Sequence, residues 1–522
     1  MKRLASALLF VAILAAQPQQ TAPRKTQRKP KLLLTIVIDQ FRFDYLQRFR
    51  PQYHSGFERL LTQGAVFTNA HYIHFPTVTA VGHSTFLSGA TPSLSGIVSN
   101  EWYDRSEKKI VTSVSDDNTA LLGGEPGVKG SSPRRLLVDT VPDELKMAGK
   151  SAKVIGISLK DRSAILPAGH MADRAFWYDD KINHFVSSTY YGDTLPQWAQ
   201  AADDAGPAAK YQNSEWKAVD AKAGDKPFCS MAKETGVRTC GSIEDTPFGN
   251  NIVEEFAERA VEGEQLGRHA GTDVLSLSFS SNDHIGHALG PDSPEARDIS
   301  IRTDQVIGKL LGYLDAKLGP GNTLVVLTAD HGVAPVPEIN EARKMPGGRL
   351  SLPKLNAAIQ SALEARFGPG DWLVPGGYAV YLNYDLLAAK KIDRSDARRV
   401  AAEAAAAFPH IARVYTRDQV ENGADSLDPL GKAVRYGFYG SRSGDVFIVP
   451  EPYYMFAGRG TTHGTPYRYD SHVPVIFYGP GIRPGVYRDN ITVNDVAPTL
   501  AVLFEVQMPD GAFGRVLTEA IQ

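Results

Sequence analysis

The stretch "NTLVVLTADHGVAP", from Asn322 to Pro335, decides the fold. Its residues from Thr323 to Thr328 are all apolar or β-branched, the pattern of a strand buried on both faces. The run stops at Asp330-His331-Gly332: a carboxylate, an imidazole and a glycine. Four more segments share this character: "KLLLTIVI" from Lys31, "AKVIGISL" from Ala152, "DVLSLSF" from Asp273 and "VPVIFYG" from Val473. Helical stretches intervene, among them "NIVEEFAERAVEGEQL". In another, from Glu295, Ile301, Val306, Leu310 and Leu314 fall near helical spacing before "GPG". Strand–helix alternation predicts an α/β fold, with a central, mostly parallel sheet flanked by helices.

Two regions break that rhythm. Residues from about 168 to 248 are rich in Tyr, Trp, Asp, Gly and Pro. The stretch 340–460 reads as a self-contained helix–strand–helix–strand pattern, expected to form an inserted smaller α+β lobe. The chain of 522 residues, 43% hydrophobic and 22% charged with net charge −2, has ordinary globular composition. No overall field favours nucleic acid or an anionic membrane. At the N-terminus, Lys2 and Arg3 precede an apolar run to Ala16, then "QPQQTAPRKTQRKPK". This predicts a signal peptide over 1–16, a linker over 17–30, and a secreted or periplasmic protein with no membrane span in its mature form. Cys229 and Cys240 are expected to close a structural disulfide in that oxidising setting.

The strand ends carry the chemistry. "LLLTIVIDQFRFDYL" ends its strand at Asp39, and "DVLSLSFSSNDHIGHALGPDS" presents Asp283 and His287, four apart. "TLVVLTADHG" presents Asp330 and His331, and His463 lies in the Gly/Thr-rich "GRGTTHGTPYRYDSH" before a strand. Ligands of open α/β sheets bind outside the carboxyl ends of the strands. Carboxylate oxygen and neutral imidazole nitrogen suit zinc, and three Asp with three His suffice for two ions with open positions. Each motif alone is weak, since an Asp after a strand is commonly a cap or turn residue. Together they define a site.

"HFPTVTAVGHSTFLSG" supplies a reactant. A hydroxyl at Thr77 or Thr79 would stand at the start of a short helix, where free N–H groups and the dipole favour an anion. Capping alone would also explain Thr79, and spacing leaves the two threonines equal. In "KVIGISLKDRSAIL", an extended chain would point Lys160 and Arg162 the same way, with Asp161 facing away. Both cations could then meet phosphoryl oxygens, and a solvated charged turn would explain the same residues equally well. Asn100, in "LSGIVSNEWYD", could donate an amide hydrogen bond, although on its own it reads more readily as a turn residue.

These blocks, with "FPTVTAVGHSTFLSGATPSLSGIVSNEWYD" and "THGTPYRYDSHVPVIFYGPG", resemble the alkaline phosphatase superfamily. The resemblance is nearest to its bacterial secreted, phosphate-irrepressible type with a threonine nucleophile, related to nucleotide pyrophosphatase/phosphodiesterases. It covers the chain from about residue 32 to 505 and implies a catalytic domain of 31–339 and 461–522. It implies two Zn2+ ions: one held by Asp283, His287 and His463, the other by Asp39, Asp330 and His331. It makes Thr79 the nucleophile that bridges toward the second ion, and gives Asn100, Lys160 and Arg162 the phosphoryl oxygens. His83, His284 and His472 are left structural or supporting. The implied activity is hydrolysis of small phosphate monoesters through a phosphothreonine. Two alternatives are a phosphodiesterase or nucleotide pyrophosphatase on the same metals, and an exported zinc-stabilised binding protein. No Cys-x-Pro-x-Arg is present for a sulfatase.

Overall fold

A computed structural model describes residues 29–149, 151–233, 236–377, 379–423 and 428–522. The expected signal peptide and nearly all of the linker lie outside the described residues. Among those described, no helix is long and apolar enough to cross a membrane.

The apolar runs form the middle of a twelve-stranded sheet. Strands β1 (Leu32–Ile38), β2 (Ala65–His71), β3 (Val154–Ser158), β4 (Arg174–Asp179), β5 (Asp273–Phe279), β6 (Thr323–Thr328) and β7 (His472–Tyr478) are ordered β2-β7-β6-β1-β5-β3-β4. From β6 to β4 every neighbouring pair is parallel. All residues of β1, β3, β5 and β6 are buried, as a sheet covered by helices on both faces requires. The long helix Pro294–Leu318 packs Ile299, Ile307, Leu310 and Leu314 into the same core.

Register places the strand ends together. Ile38 pairs with Phe279, Val37 with Thr328, and Ser158 with Ser278. The chain therefore leaves β1, β3, β5 and β6 along one edge, one or two residues before Asp39, Lys160 and Asp330 and four before Asp283.

Strand β7 differs from expectation. It runs antiparallel between β2 and β6. Its central residues are buried on both faces, so the apolar run carried no sign of direction. Reversal has a consequence for the site: the amino end of β7, not its carboxyl end, lies at the edge where β6 finishes. The loop carrying His463 precedes that amino end and so reaches the same edge.

Within 340–460, helices Leu352–Phe367 and Arg394–Ala406 pack on an antiparallel four-stranded sheet. Its strands are Leu373–Val374, Ala379–Leu382, Val446–Pro450 and Ile411–Thr416, in that order. This segment has its own apolar cluster around Leu355, Ile359, Trp372 and Ala401. The stretch 168–248 contributes β4 and a further strand, His184–Ser188, to the main sheet. Cys229 and Cys240 are disulfide-bonded there.

Candidate metal and phosphoryl-transfer site

Asp39, Asp330 and His331 are fully buried at the strand ends. Gln40 turns through a positive φ of 60° just beyond β1. Its backbone N–H donates to Asp330 Oδ1 at 3.0 Å, and its side-chain amide donates to Asp283 Oδ1 at 2.6 Å. Asp283 and His287 project from one face of the helix Ser281–Leu289, with His287 Nε2 3.1 Å from Asp283 Oδ1.

Three imidazoles are fixed by one device. His287 Nδ1 faces the carbonyl of Thr461 at 2.9 Å, His331 Nδ1 that of Gly332 at 2.9 Å, and His463 Nδ1 that of Thr77 at 2.8 Å. A carbonyl cannot donate, so Nδ1 carries a proton in each, and Nε2 offers its lone pair wherever the ring is neutral. His331 Nε2 lies 3.5 Å from both Asp39 Oδ1 and Asp330 Oδ2, and His463 Nε2 lies 3.8 Å from Asp283 Oδ1. The His331 and His463 rings stack 3.4 Å apart.

Among the described residues, two groups have ligand atoms close enough to hold an ion: Asp39, Asp330 and His331; and Asp283, His331 and His463. The first is the set that the family resemblance implied. The second shares His331 where His287 was expected, and His287 adjoins it through Asp283. The donor set fits divalent cations. Asp39 Oδ1 and Asp330 Oδ2 are buried with no hydrogen-bond partner, although buried polar atoms are nearly always satisfied. Burial, and then the neighbouring Asp39 carboxylate, push the Asp330 carboxyl well above its usual range. Burial holds His331 down at about 3 and His463 well below the ordinary imidazole value, keeping both neutral as metal ligands must be. At Asp283 burial acts upward, but Lys160, His287 and His463 outweigh it and hold the carboxyl well below its usual range. His287, opposed by burial, is raised to about 9 by Asp283.

The threonines separate. Thr77 Oγ1 donates to the carbonyl of Thr465 at 2.7 Å, on the His463 loop. Thr79 Oγ1 lies 3.4 Å from His331 Nε2, beside both groups. Thr79 is the first residue of the helix Thr79–Ser88, whose N-cap is Val78, so its hydroxyl is not used for capping. Gly82 lets this helix press on the strand end: a Cβ there would stand 2.2 Å from the Asp330 carbonyl oxygen. Asn100 Oδ1 accepts from the Ala80 N–H at 2.8 Å, which leaves its NH2 as a donor next to Thr79.

Lys160 and Arg162 are not in an extended chain, as their spacing suggested. Lys160 is the N-cap of a short helix, Asp161–Ile165, that places Arg162 in its first turn. Lys160 Nζ bridges Asp39 Oδ2 and Asp283 Oδ2, both at 2.6 Å. Arg162 keeps a buried Nε without a partner. Asp161 accepts from Ser131 Oγ at 3.3 Å and from the Arg162 N–H at 2.7 Å, and its Oδ1 lies 3.7 Å from Arg162 Nη1, so it stays beside that cation rather than facing away.

Of the remaining histidines, His83 bridges the Thr79 carbonyl and Ser278 Oγ behind Asp330. His284 contacts Asp245, and His472 contacts the Thr68 carbonyl. Gln40, which ties Asp330 to Asp283, was missed. Its only sequence signal is its place directly after the strand-ending aspartate.

A model of the type I phosphodiesterase/nucleotide pyrophosphatase family matches residues 33–472. The chain belongs to that family, within the alkaline phosphatase superfamily. It is 35% identical to alkaline phosphatase PafA of Elizabethkingia meningoseptica, over 100% of this chain and 99% of that one. It is 34% identical to alkaline phosphatase PhoV of Synechococcus elongatus, over 99% and 98%. The crystal structure of PafA superposes with a TM-score of 0.88 over 95% of this chain and 99% of that one. A PafA variant substituted at one threonine, one asparagine, one lysine and one arginine superposes equally well.

Proposed function

We propose that this chain is an alkaline phosphatase: a zinc-dependent phosphate monoester hydrolase acting through a phosphothreonine on Thr79. One observation carries the reading. A hydroxyl at a helix start lies 3.4 Å from the imidazole shared by two buried carboxylate–imidazole groups. Asp39, Asp330 and His331 would hold one cation, and Asp283, His287 and His463 the other. Bound there, the pair supplies Lewis acidity that lowers the pKa of a coordinated hydroxyl or water and offsets charge on the departing oxygen.

The chain's own residues do the rest. Thr79 Oγ attacks phosphorus as the bond to the leaving oxygen breaks. Water then attacks the phosphothreonine, giving inorganic phosphate and restoring the hydroxyl. Asn100 and the guanidinium of Arg162 donate to the non-bridging oxygens, with Lys160 adding a point charge. Positioning and charge stabilisation supply most of the catalysis in such transfers. The substitution set in the PafA variant falls on these four residue types, which supports the assignment of Thr79, Asn100, Lys160 and Arg162. The basic, then apolar N-terminus supports export to the periplasm or medium.

The family's description favours a second reading, diester or pyrophosphate hydrolysis. Two cations aimed at the terminal oxygens favour the monoester dianion, and a diester's second substituent would compete for their space. The test is kcat/KM for p-nitrophenyl phosphate against bis-p-nitrophenyl phosphate, in wild type and Thr79→Ala. We expect the monoester to be favoured and Thr79→Ala to lose nearly all turnover with its metal retained. A ratio below one refutes the monoesterase, and full activity in the variant removes Thr79 from the mechanism.

A further inference from the structure

A cavity of about 390 Å³ lies between the 340–460 segment and the site edge of the sheet. Leu352, Leu355, Ile448 and Tyr454 give it mostly apolar walls on one side, and Phe75, Glu101 and His463 line it on the other. It touches the proposed reaction centre at two places. His463 belongs to both the cavity and a carboxylate–imidazole group. Glu101 directly follows Asn100, whose side chain holds the backbone next to Thr79.

The lining selects by chemistry. Among the described residues no lysine or arginine lines the cavity, and Glu101 contributes a carboxylate. A second phosphate or any other anion would be repelled there. The hydroxyls of Tyr381 and Thr465, also on the wall, already donate to the Arg442 carbonyl at 2.9 Å and to Asp470 Oδ2 at 2.6 Å, and the Asn356 amide sits at the exposed rim, so few donors are set for a polyol within mostly apolar walls. The volume is in the range of small-molecule pockets, and a cavity of roughly 150 Å³ already admits benzene.

We propose that this cavity receives the leaving group of the substrate, and that the group is an uncharged aryl or branched alkyl moiety rather than a sugar polyol or a polyphosphate. The inference rests on the monoesterase reading and adds a substrate class to it. Residues of the 340–460 segment then set specificity, while those of the strand ends perform the transfer.

The test compares kcat/KM for 2-naphthyl phosphate and glycerol 2-phosphate in wild type, Asn356→Trp and Leu352→Asp. Both positions line the cavity yet are exposed, Leu352 by 40%, so neither change enters the buried cluster of that segment. Tryptophan would fill the space and aspartate would add charge to its rim. The naphthyl-to-glycerol ratio cancels the intrinsic reactivity of the two esters between proteins. We expect it to fall about tenfold in each variant. A ratio within about twofold of wild type in both variants overturns the cavity assignment, and leaves the phosphatase reading standing if glycerol 2-phosphate is hydrolysed. Failure of the wild type to hydrolyse either ester overturns both.

Discussion

Asp330 and Asp445 are both fully buried carboxylates, yet their surroundings are opposite. Asp445, between the strands of the 340–460 segment, accepts from Arg105, Arg398, the Tyr384 hydroxyl and the Leu382 N–H. Arg105 and Tyr384 also stack. Every lone pair has a donor, and the group joins that segment to the hairpin that begins just after Asn100. Asp330 has an orphaned Oδ2, a second carboxylate beside it in Asp39, and an imidazole turned lone pair first. A fold that satisfies one buried charge completely and crowds the other is paying a stability cost at the second for chemistry.

Three substitutions probe that contrast, in falling order of effect. Asp330→Asn should cut kcat/KM by on the order of 10⁴-fold, about 5.5 kcal/mol. The sign for stability is the reverse. The folded pKa of Asp330 is raised, so its ionised form at neutral pH opposes folding, and removing that charge should leave the metal-free protein as stable or more so. A drop in chelator-treated melting temperature would erase the contrast. Asp445→Ala should cost about 4 kcal/mol in denaturant unfolding, because two arginines lose their buried partner, with a smaller loss of kcat/KM than Asp330→Asn. A neutral result would make Asp445 dispensable. Gln40→Leu removes one donor to Asp283 and should weaken metal affinity about tenfold, measured by competition with a chelator. Unchanged affinity would confine Gln40 to the turn.

Much of this was legible from residues alone. The runs of β1, β3, β5 and β6 announced buried parallel strands, and their abrupt polar ends announced a shared edge. Asp283 and His287 follow from helical spacing. What escaped depends on contacts distant in sequence. Strand β2, "AVFTNAH", has no clear alternation and is held in place by β7. The direction of β7 is set by its neighbours, because residues buried on both faces look alike either way. The turn of Lys160 and Arg162 into a helix follows a local start that an extended reading of three charged residues overlooked. Gln40 draws its role from Asp283, 243 positions away.

The central claim is that two buried carboxylate–imidazole groups hold a pair of metal ions beside Thr79. It is tested most directly by elemental analysis of the purified protein together with p-nitrophenyl phosphate turnover, before and after exhaustive chelation and zinc return. The account predicts about two equivalents of zinc per chain, activity lost in step with their removal, and recovery on readdition. A chelated protein free of metal that still hydrolyses the ester at the original rate would contradict it.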